Sequence, residues 1–518
     1  MNEQNTPFPQ ENADMQCYLP VTPIKKAPAF TLFEAVGGWL CLVFGFIFTH
    51  FVCGYACGIW GGIFWAAAGA AGAIYTRAKH LKTSAAQRVV FIIAEAFCLV
   101  PVLYSNLFIN FLAAAFSFVL LLYLAVSVSG AELFGKHFVM DALKAIFVRP
   151  FISFSAAPRA AFSLFRGGKR AKNLLFVLLG LCAALPVTII VVNLLMISDE
   201  MFNGMMKGFA DILPTFSGSL IAEIIFAIPV GFILFGAMFS MNKPAAEYRE
   251  SAPDYRVVPP ALSYAAVTPL CIFYMLYFFS QFGYFTSAFA GYLPEGFSIA
   301  EYARRGFFEL CAVAVINLFV IMMIQAFTRR GENDKRPAAL RVYTVVLSGF
   351  SLLFITCSIS KMIMYISRLG MTKVRIYTTW FMVVLAAAFV LVIVWQFREM
   401  KFWRAMFIAF TVLFAVLCFG NVDGMIARYN ISAYENGTLN SLDVSMLRYD
   451  IGIPAVAPAV EHLAHGESDY STLINLNDFL NESAENLADA STEYFSIQRA
   501  LAQNALKNAG FTAMKETR

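Results

Sequence analysis

"FWRAMFIAFTVLFAVLCFGNVDGMIARYNI", residues 402–431, contains the pattern that decides the fold: a long apolar run that stops in a polar cluster. The residues before Gly420 are mostly Phe, Ala, Val and Leu, and the residues after it include an Asp, an Arg, a Tyr and two Asn. An apolar run of this length is typical of a membrane-spanning helix. Because a long polar segment follows, the pattern predicts a last span that leads into a tail outside the bilayer.

The composition of the whole chain is that of an integral membrane protein. Of its 518 residues, 59% are hydrophobic and 14% are charged, and the mean hydropathy is +0.68. Soluble domains have about 25% charged and about 45–50% apolar residues. The apolar residues occur in repeated runs of about 20, enough to cross a hydrocarbon core of about 30 Å. We therefore expect an all-α polytopic membrane protein with about 11 transmembrane helices and a small helical C-terminal tail.

Basic residues orient these spans, because short cytoplasmic loops carry an excess of Lys and Arg. With the N-terminus in the cytoplasm, 25 of the 38 Lys and Arg residues fall in cytoplasmic segments, 6 in outer loops and 6 in the tail. An odd number of spans then places the C-terminus outside the cell. The predicted spans are 32–51, 53–75, 89–104, 107–129, 174–196, 219–240, 260–282, 306–328, 342–366, 376–397 and 405–421. Around "LYSNLF" (103–108) the pattern fits either two helices or one interrupted region.

Hydropathy and charge divide the chain into five regions. They are a polar cytoplasmic N-terminus (1–30), a four-span membrane region (31–129), a basic cytoplasmic segment at the membrane interface (130–173), a seven-span membrane region (174–420) and an acidic, helical, extracytoplasmic tail (421–518). The tail has 6 basic and 13 acidic residues, a formal charge of −7. Within it, residues 491–510 have helical spacing that puts Tyr494, Ile497 and Leu501 on one side, with Gly510 as the C-cap.

The basic segment 130–173 mixes aromatic residues with Lys and Arg, which is typical of helices lying at a membrane surface. Basic residues also bind nucleic acid, but their alternation with aromatic residues beside a bilayer favours the interfacial interpretation. The expected partners are the lipid bilayer and a membrane protein or a second copy of the chain, with no nucleic acid.

The sequence lacks the motifs of common catalytic sites. It contains no phosphate-binding G-x-x-x-x-G-K-[ST], no dinucleotide-binding G-x-G-x-x-G, no G-x-S-x-G and no H-E-x-x-H. Neither the His462–His465 pair nor the Cys53–Cys57 pair has further ligands at a metal-binding spacing. No catalytic residue, cofactor or metal is predicted, and a non-catalytic role is favoured over an enzyme.

Two acidic residues interrupt predicted spans: Glu95 in the third and Glu223 in the sixth. Burying an ionisable side chain in hydrocarbon is costly unless the group is paired or hydrated. Such residues either line a polar pathway or hydrogen-bond to a neighbouring helix. The first interpretation would make the chain a transporter or channel component.

A second group of ionisable residues is predicted at the outer ends of the spans. In "EYARRGFFEL" (301–310), Glu301, Arg305 and Glu309 recur at four-residue intervals and so share a helix face. Lys361 lies about 8 Å inside the end of the ninth span, at a depth similar to that of Glu309. Glu309 and Lys361 would form an ion pair, alone or completed by Arg305. Alternatively, Lys361 extends its ammonium group to water without a partner.

The outer loop "SRLGMTKVR" (367–375) carries three basic residues against the general bias. The acidic tail can supply the opposite charge. We expect the tail to fold back over the outer ends of spans eight to ten, with residues 421–431 as the hinge and Arg428, Tyr429 and Asn430 holding it in place.

Three stretches, "EYARRGFFEL", "SKMIMYISRLGMTKVRIYTTWFM" (360–382) and "NVDGMIARYNI" (421–431), resemble signature segments of a bacterial multi-pass membrane family. This family is known as domain of unknown function four-one-seven-three, related to four-one-five-three. The resemblance covers roughly residues 170–465; it implies a polytopic plasma-membrane protein and names no activity, substrate or cofactor. The matching positions are Tyr302, Ala303, Gly306, Phe307, Phe308, Glu309, Tyr365, Gly370, Thr372, Arg375, Asn421, Asp423, Ala427, Arg428, Tyr429 and Asn430.

Charge and resemblance together define a candidate polar cluster. A sensing or assembly protein would use it to lock the tail, and this role is favoured. A membrane enzyme acting on lipid or cell-envelope precursors at the outer face would instead use a carboxylate as base and the cations to bind phosphate. The cluster consists of Tyr302, Arg305, Glu309, Lys361, Tyr365, Arg375, Asn421, Asp423, Arg428, Tyr429 and Asn430.

Overall fold

The protein is almost entirely helical in the computed structural model, which describes residues 30–53, 59–135, 138–165, 195–196, 201, 218–242, 256–290, 307–331, 336–465, 469–488 and 495–511. Within these ranges there is no β-strand; an isolated bridge joins Val258 and Thr328. The predicted all-α fold class is confirmed.

The helices in the described ranges are numbered here in chain order. They are α1 (Leu32–Ile47), α2 (Ile59–Ala78), α3 (Ala85–Phe97), α4 (Val100–Leu103), α5 (Leu107–Val128), α6 (Phe138–Phe147), α7 (Arg149–Ile152), α8 (Ala156–Ala161), α9 (Gly218–Ser240), α10 (Pro260–Ala290), α11 (Phe307–Phe327), α12 (Ala338–Leu369), α13 (Lys373–Phe397), α14 (Phe402–Phe419), α15 (Val422–Glu435), α16 (Ile453–His465), α17 (Tyr470–Ala488) and α18 (Ile497–Asn508). Single π-helical turns span Phe48–Cys53 and Met446–Ile451.

Ten helical segments in this part of the chain are long and apolar enough to cross a membrane. They correspond to ten of the eleven predicted spans, so the chain is a polytopic membrane protein. The remaining predicted span, 174–196, lies outside the described residues except for its last two.

Side-chain capping fixes where several spans begin. Thr31 and Ser84 each accept a hydrogen bond from the backbone three residues on, and the side chains of Glu34 and Gln87 complete the two capping boxes. Asn106 caps α5 by accepting the backbone N–H of Ile109. Because the helix is broken between α4 and α5, the "LYSNLF" region separates two helices.

The spans form two groups of neighbours. In the first group α1 packs along α9, and α2, α3 and α5 pack against one another. In the second, α12 contacts α10, α11 and α13. Gly45 of α1 approaches the α9 backbone at Ala227 and Gly231 so closely that a β-carbon there would collide. Small residues let helices meet at this distance in membranes.

The basic segment after α5 folds onto the first group of spans. Gly38 of α1 contacts the backbone at Ala157 and Ala161, and the indole N–H of Trp39 donates to the Ala161 carbonyl at 3.1 Å. Arg149 is buried and donates to the Ser129 hydroxyl at 2.6 Å. Helices α7 and α8 are therefore packed against α1 and α9.

The tail shares one apolar core with the spans. Phe97 of α3, Leu417 of α14, Ile426 of α15 and Leu476 of α17 belong to the same buried cluster. The tail is therefore continuous with the membrane domain in its packing.

The predicted apolar side of the last helix is wrong. The residues that α18 buries are Ala502 and Leu506, whereas Ile497 is 43% and Leu501 is 61% exposed. Tyr494 lies outside the described residues. The C-terminal end agrees with the prediction, since Gly510 has φ +83° just after the helix.

Candidate functional site

The chain turns from the last span into the tail at Asn421. This residue has a left-handed backbone (φ 46°), and its side-chain oxygen caps α15 by accepting the Gly424 N–H at 3.3 Å. The same oxygen accepts a hydrogen bond from Gln498 of α18 at 2.9 Å. Asn421 therefore sets the direction of α15 and ties the first tail helix to the last.

Asp423 lies at the buried contact between α15 and the ends of α5 and α13. It is 4% exposed. Its Oδ2 accepts a hydrogen bond from Asn106 Nδ2 at 2.8 Å and lies 3.4 Å from Lys373 Nζ. The Asn106 amide also donates to the Tyr377 hydroxyl at 2.8 Å. One carboxylate thus connects the tail to two spans.

The surroundings of Asp423 disfavour its charge. Burial raises the pKa of this carboxyl group above its ordinary value of 3.8, although Lys373 and the hydrogen bond from Asn106 act in the opposite direction. Its Oδ1 has no hydrogen-bond partner among the described residues. The space beside it is about 10 Å³, room for about one water molecule. A substrate does not fit there.

Asn430 holds the loop between α12 and α13. Its Oδ1 accepts the Met371 N–H at 2.7 Å, and its Nδ2 donates to the Met371 carbonyl at 2.8 Å. Gly370 precedes this pair with φ +77°, and a β-carbon there would lie 2.8 Å from Asn430 Oδ1. The loop therefore packs closely around the Asn430 side chain. We call Asn106, Met371, Lys373, Tyr377, Asn421, Asp423 and Asn430 the joint.

Arg375 stabilises the same loop from the other side. Its guanidinium donates to the carbonyls of Leu369 and Gly370 and stacks on the Tyr365 ring, with 3.9 Å between the guanidinium carbon and the ring centroid. Arg375 and Tyr365 therefore close the C-terminal end of α12, where cations and donors satisfy free carbonyls.

Lys361 lies deeper on α12, within electrostatic range of Glu309 on α11. Glu309 is exposed and Lys361 is partly buried. This pair belongs to the second group of spans, and it is separate from the hydrogen bonds of the joint. Tyr302 and Arg305, which were expected beside it, lie outside the described residues.

Arg428 and Tyr429 line the opposite face of α15. Together with Met425 and Ser432 they border an open groove of about 560 Å³. The Arg428 side chain is exposed and forms no ion pair with a described residue. Asn430 and Asp423, on the buried face, make the contacts to the spans that were expected of Arg428.

The two acids within spans have separate surroundings. Glu223 lies where the apolar part of α9 begins, with its Oε2 2.7 Å from His50 Nδ1 at the end of the first span. Glu95 of α3 packs against Gly69 of α2, and its Oε1 is buried with no hydrogen-bond partner in the described part of the chain.

Asn106, Tyr377 and Gln498 were not predicted. Asn106 and Gln498 donate hydrogen bonds to Asp423 and Asn421, and Tyr377 accepts one from Asn106. Asn106 carried a usable signal, because an Asn directly before an apolar run is a common N-cap. Nothing local connects Tyr377 or Gln498 to residues of α15 or to its cap.

The comparisons with known proteins identify a family and leave the activity open. The model of the family described as Domain of unknown function (DUF4153) matches residues 91–461. This is the family that the resemblance named as a relative, and the match begins further towards the N-terminus than the expected residue 170. No curated protein and no solved structure matches the chain significantly. Because the match covers well over half of its length, the chain belongs to the DUF4153 family.

Proposed function

We propose that the chain is a non-catalytic sensing or assembly component of the bacterial plasma membrane, with a tail docked on the ends of its spans. The N-terminus lies in the cytoplasm and the tail outside it in this proposal, which the distribution of Lys and Arg over eleven spans supports. The docked tail presents the groove at Arg428 and Tyr429 to a membrane-protein partner or to a second copy of the chain.

The observation that carries this proposal is the filled joint over a shared core. Asp423, Asn430 and Asn421 form hydrogen bonds within the protein, and the space beside Asp423 is about 10 Å³. Catalytic groups need an open site that admits a substrate. Polar residues occupied in this way suit docking of the tail.

Two other functions are kept as alternatives. The first is a transporter or channel component. Glu95 has a buried oxygen that lacks a hydrogen-bond partner among the described residues, and Glu223, paired with His50, would be a second polar group along the pathway. Glu309 and Lys361 suit a membrane enzyme at the outer face that acts on lipid or cell-envelope precursors, because a carboxylate and a cation lie within electrostatic range.

Complementation of a deletion strain distinguishes the three functions. Variants of the full chain would compete in pooled growth under envelope stress, and limited proteolysis would report whether each tail is docked. We expect Asn430→Ala to fail with a released tail and Arg428→Glu to fail with a docked tail. Glu95→Gln, Glu223→Gln and Glu309→Gln should complement.

Failure of either Glu95→Gln or Glu223→Gln with a docked tail would replace the proposal by a transport pathway. Failure of Glu309→Gln alone, with a docked tail, would replace it by an enzyme.

A further inference from the structure

A second cavity, of about 510 Å³, lies between α1, α2, α3, α5 and α9. Its wall is mostly apolar and includes Val36, Phe91 and Leu121. On α2 the wall consists largely of small residues, and Gly72 is one of them, so this helix leaves space that a larger side chain would fill. The volume lies within the roughly 300–1,000 Å³ of small-molecule sites, which combine apolar walls with a few polar groups.

One end of this cavity is basic. Arg77 lies in the last turn of α2 and Arg88 in the first turn of α3, and both line the cavity, as does Gln87. Both arginine side chains are exposed, and neither forms an ion pair with a residue that the structure describes. Guanidinium groups bind phosphate with paired hydrogen bonds.

The acidic residue of the cavity wall is already neutralised. Lys79 Nζ lies 2.7 Å from the carboxylate of Glu34, which is 5% exposed. The Tyr75 hydroxyl donates to the same carboxylate at 3.4 Å, and the Asn242 amide donates at 3.4 Å. Because Lys79 balances Glu34, the two arginines leave a net positive charge at this end.

The basic end belongs to segment 76–88, the end of α2 and the start of α3 with the turn between them. The distribution of Lys and Arg assigns this segment to the cytoplasm. The cytoplasmic leaflet carries anionic lipids, and basic pockets between transmembrane helices on that side bind their headgroups. An apolar wall that leads to a cationic end matches the two parts of such a lipid.

We infer that this cavity binds an anionic phospholipid, with the phosphate at Arg77 and Arg88 and an acyl chain along the wall beside Gly72. The site involves no residue of the joint or the tail, so it extends the function beyond docking.

Native mass spectrometry of the full-length protein tests the headgroup contact, with dioleoylphosphatidylglycerol and dioleoylphosphatidylcholine as probes. Wild-type protein should retain phosphatidylglycerol more tightly than phosphatidylcholine. The double variant Arg77→Gln/Arg88→Gln should lose roughly 30-fold in affinity for phosphatidylglycerol, as expected for two basic residues at a lipid headgroup. The control Arg341→Gln/Arg398→Gln, which changes exposed arginines outside this cavity, should bind like wild type.

Gly72→Leu tests the apolar part. A β-carbon at this position would lie 3.8 Å from Met241 Cε, an ordinary contact, so the new side chain should enter the cavity without moving the backbone. We expect loss of phosphatidylglycerol binding with an unchanged melting temperature. Gly349→Leu, at a helical glycine with nothing within 4 Å, is the matched control.

Any of three results would overturn the inference. Wild-type affinity in Gly72→Leu would place the lipid outside the cavity. Equal binding of the two lipids, or full displacement of phosphatidylglycerol by inorganic phosphate, would reduce the site to a surface that binds acyl chains or a simple anion.

Discussion

At the scale of single residues, the Asp423 carboxyl group makes the stability of the joint depend on pH. Its pKa is raised by burial, so the folded state favours the protonated form. The stabilisation is therefore complete below pH 3.8 and is lost as pH rises through the higher pKa of the folded state.

Asp423→Asn should remove this dependence, because the amide is neutral at every pH. We expect a variant at least as stable as wild type at pH 7, with the difference shrinking towards pH 4. Melting of the purified proteins between pH 4 and pH 8 measures it. A variant that is less stable than wild type at pH 7, by a margin that shrinks towards pH 4, would mean that the Lys373 ion pair outweighs burial.

Glycine is required at position 370 because of its backbone conformation and its close approach to Asn430. Its backbone (φ +77°, ψ 175°) is in a region that essentially belongs to glycine, and a β-carbon would also approach Asn430 Oδ1. Gly370→Ala should lower the free energy of unfolding by about 1–3 kcal/mol, measured by thermal or denaturant unfolding. Gly437→Ala also has positive φ but open space around it. Equal losses in both variants would show that the contact with Asn430 is unimportant.

Single residues show how far the sequence could predict the site. Asp423 and Asn430 could be selected because they are polar and directly follow a span. Their partners could not, because Asn106 is 317 positions from Asp423 and Met371 is 59 from Asn430. A hydrogen bond between distant residues leaves no pattern in a single sequence.

At the scale of helices, the two faces of α15 have different tasks. The face with Asp423 and Asn430 is buried against the spans, and the face with Arg428 borders the open groove. The sequence-based prediction assigned tail docking to Arg428, Tyr429 and Asn430 together, and of these Asn430 forms hydrogen bonds to the loop between α12 and α13. On the buried face, Asn430 and Asp423 form hydrogen bonds, and the Asp423 carboxylate lies 3.4 Å from Lys373 Nζ. These partners satisfy polar groups at a place with little water.

Asn430→Ala should release the tail, whereas Arg428→Ala should not. Two lost hydrogen bonds of about 1 kcal/mol each make an open tail roughly 30-fold more populated. The rate of tail proteolysis in intact spheroplasts measures this population. Arg428→Ala, on the exposed face of the same helix, is the matched control. Equal protease sensitivity of the two variants would exclude this assignment of the two faces.

Helix α18 shows why a correct helix can be given the wrong face. The large apolar residues Ile497 and Leu501 lie one turn apart, so they were predicted to form the buried side. In the structure Ala502 and Leu506 are buried instead. Ala502 and Leu506 belong to the apolar core, and α16 is a packing neighbour of α18. Fit against a neighbour, which the sequence does not contain, decided the face.

At the scale of the whole molecule, hydropathy was a sufficient guide to the membrane domain, because a helix must satisfy its own backbone in lipid. Ten spans lie where apolar runs predicted them. Hydropathy did not predict that the tail packs on the spans. Apolar residues such as Phe97, Ile426 and Leu476 could be buried in many arrangements, and only the folded structure shows that they share one core.

The most direct test of the docked tail is cysteine labelling at Met371, in a background without native cysteines. Asn430 forms its two hydrogen bonds with the backbone of Met371, so Met371→Cys preserves these bonds. We expect slow labelling by a membrane-impermeant maleimide in spheroplasts, a roughly 30-fold faster rate with Asn430→Ala, and no change with Arg428→Ala. Fast labelling in all three proteins would contradict it, because the ends of the spans would then be open to solvent.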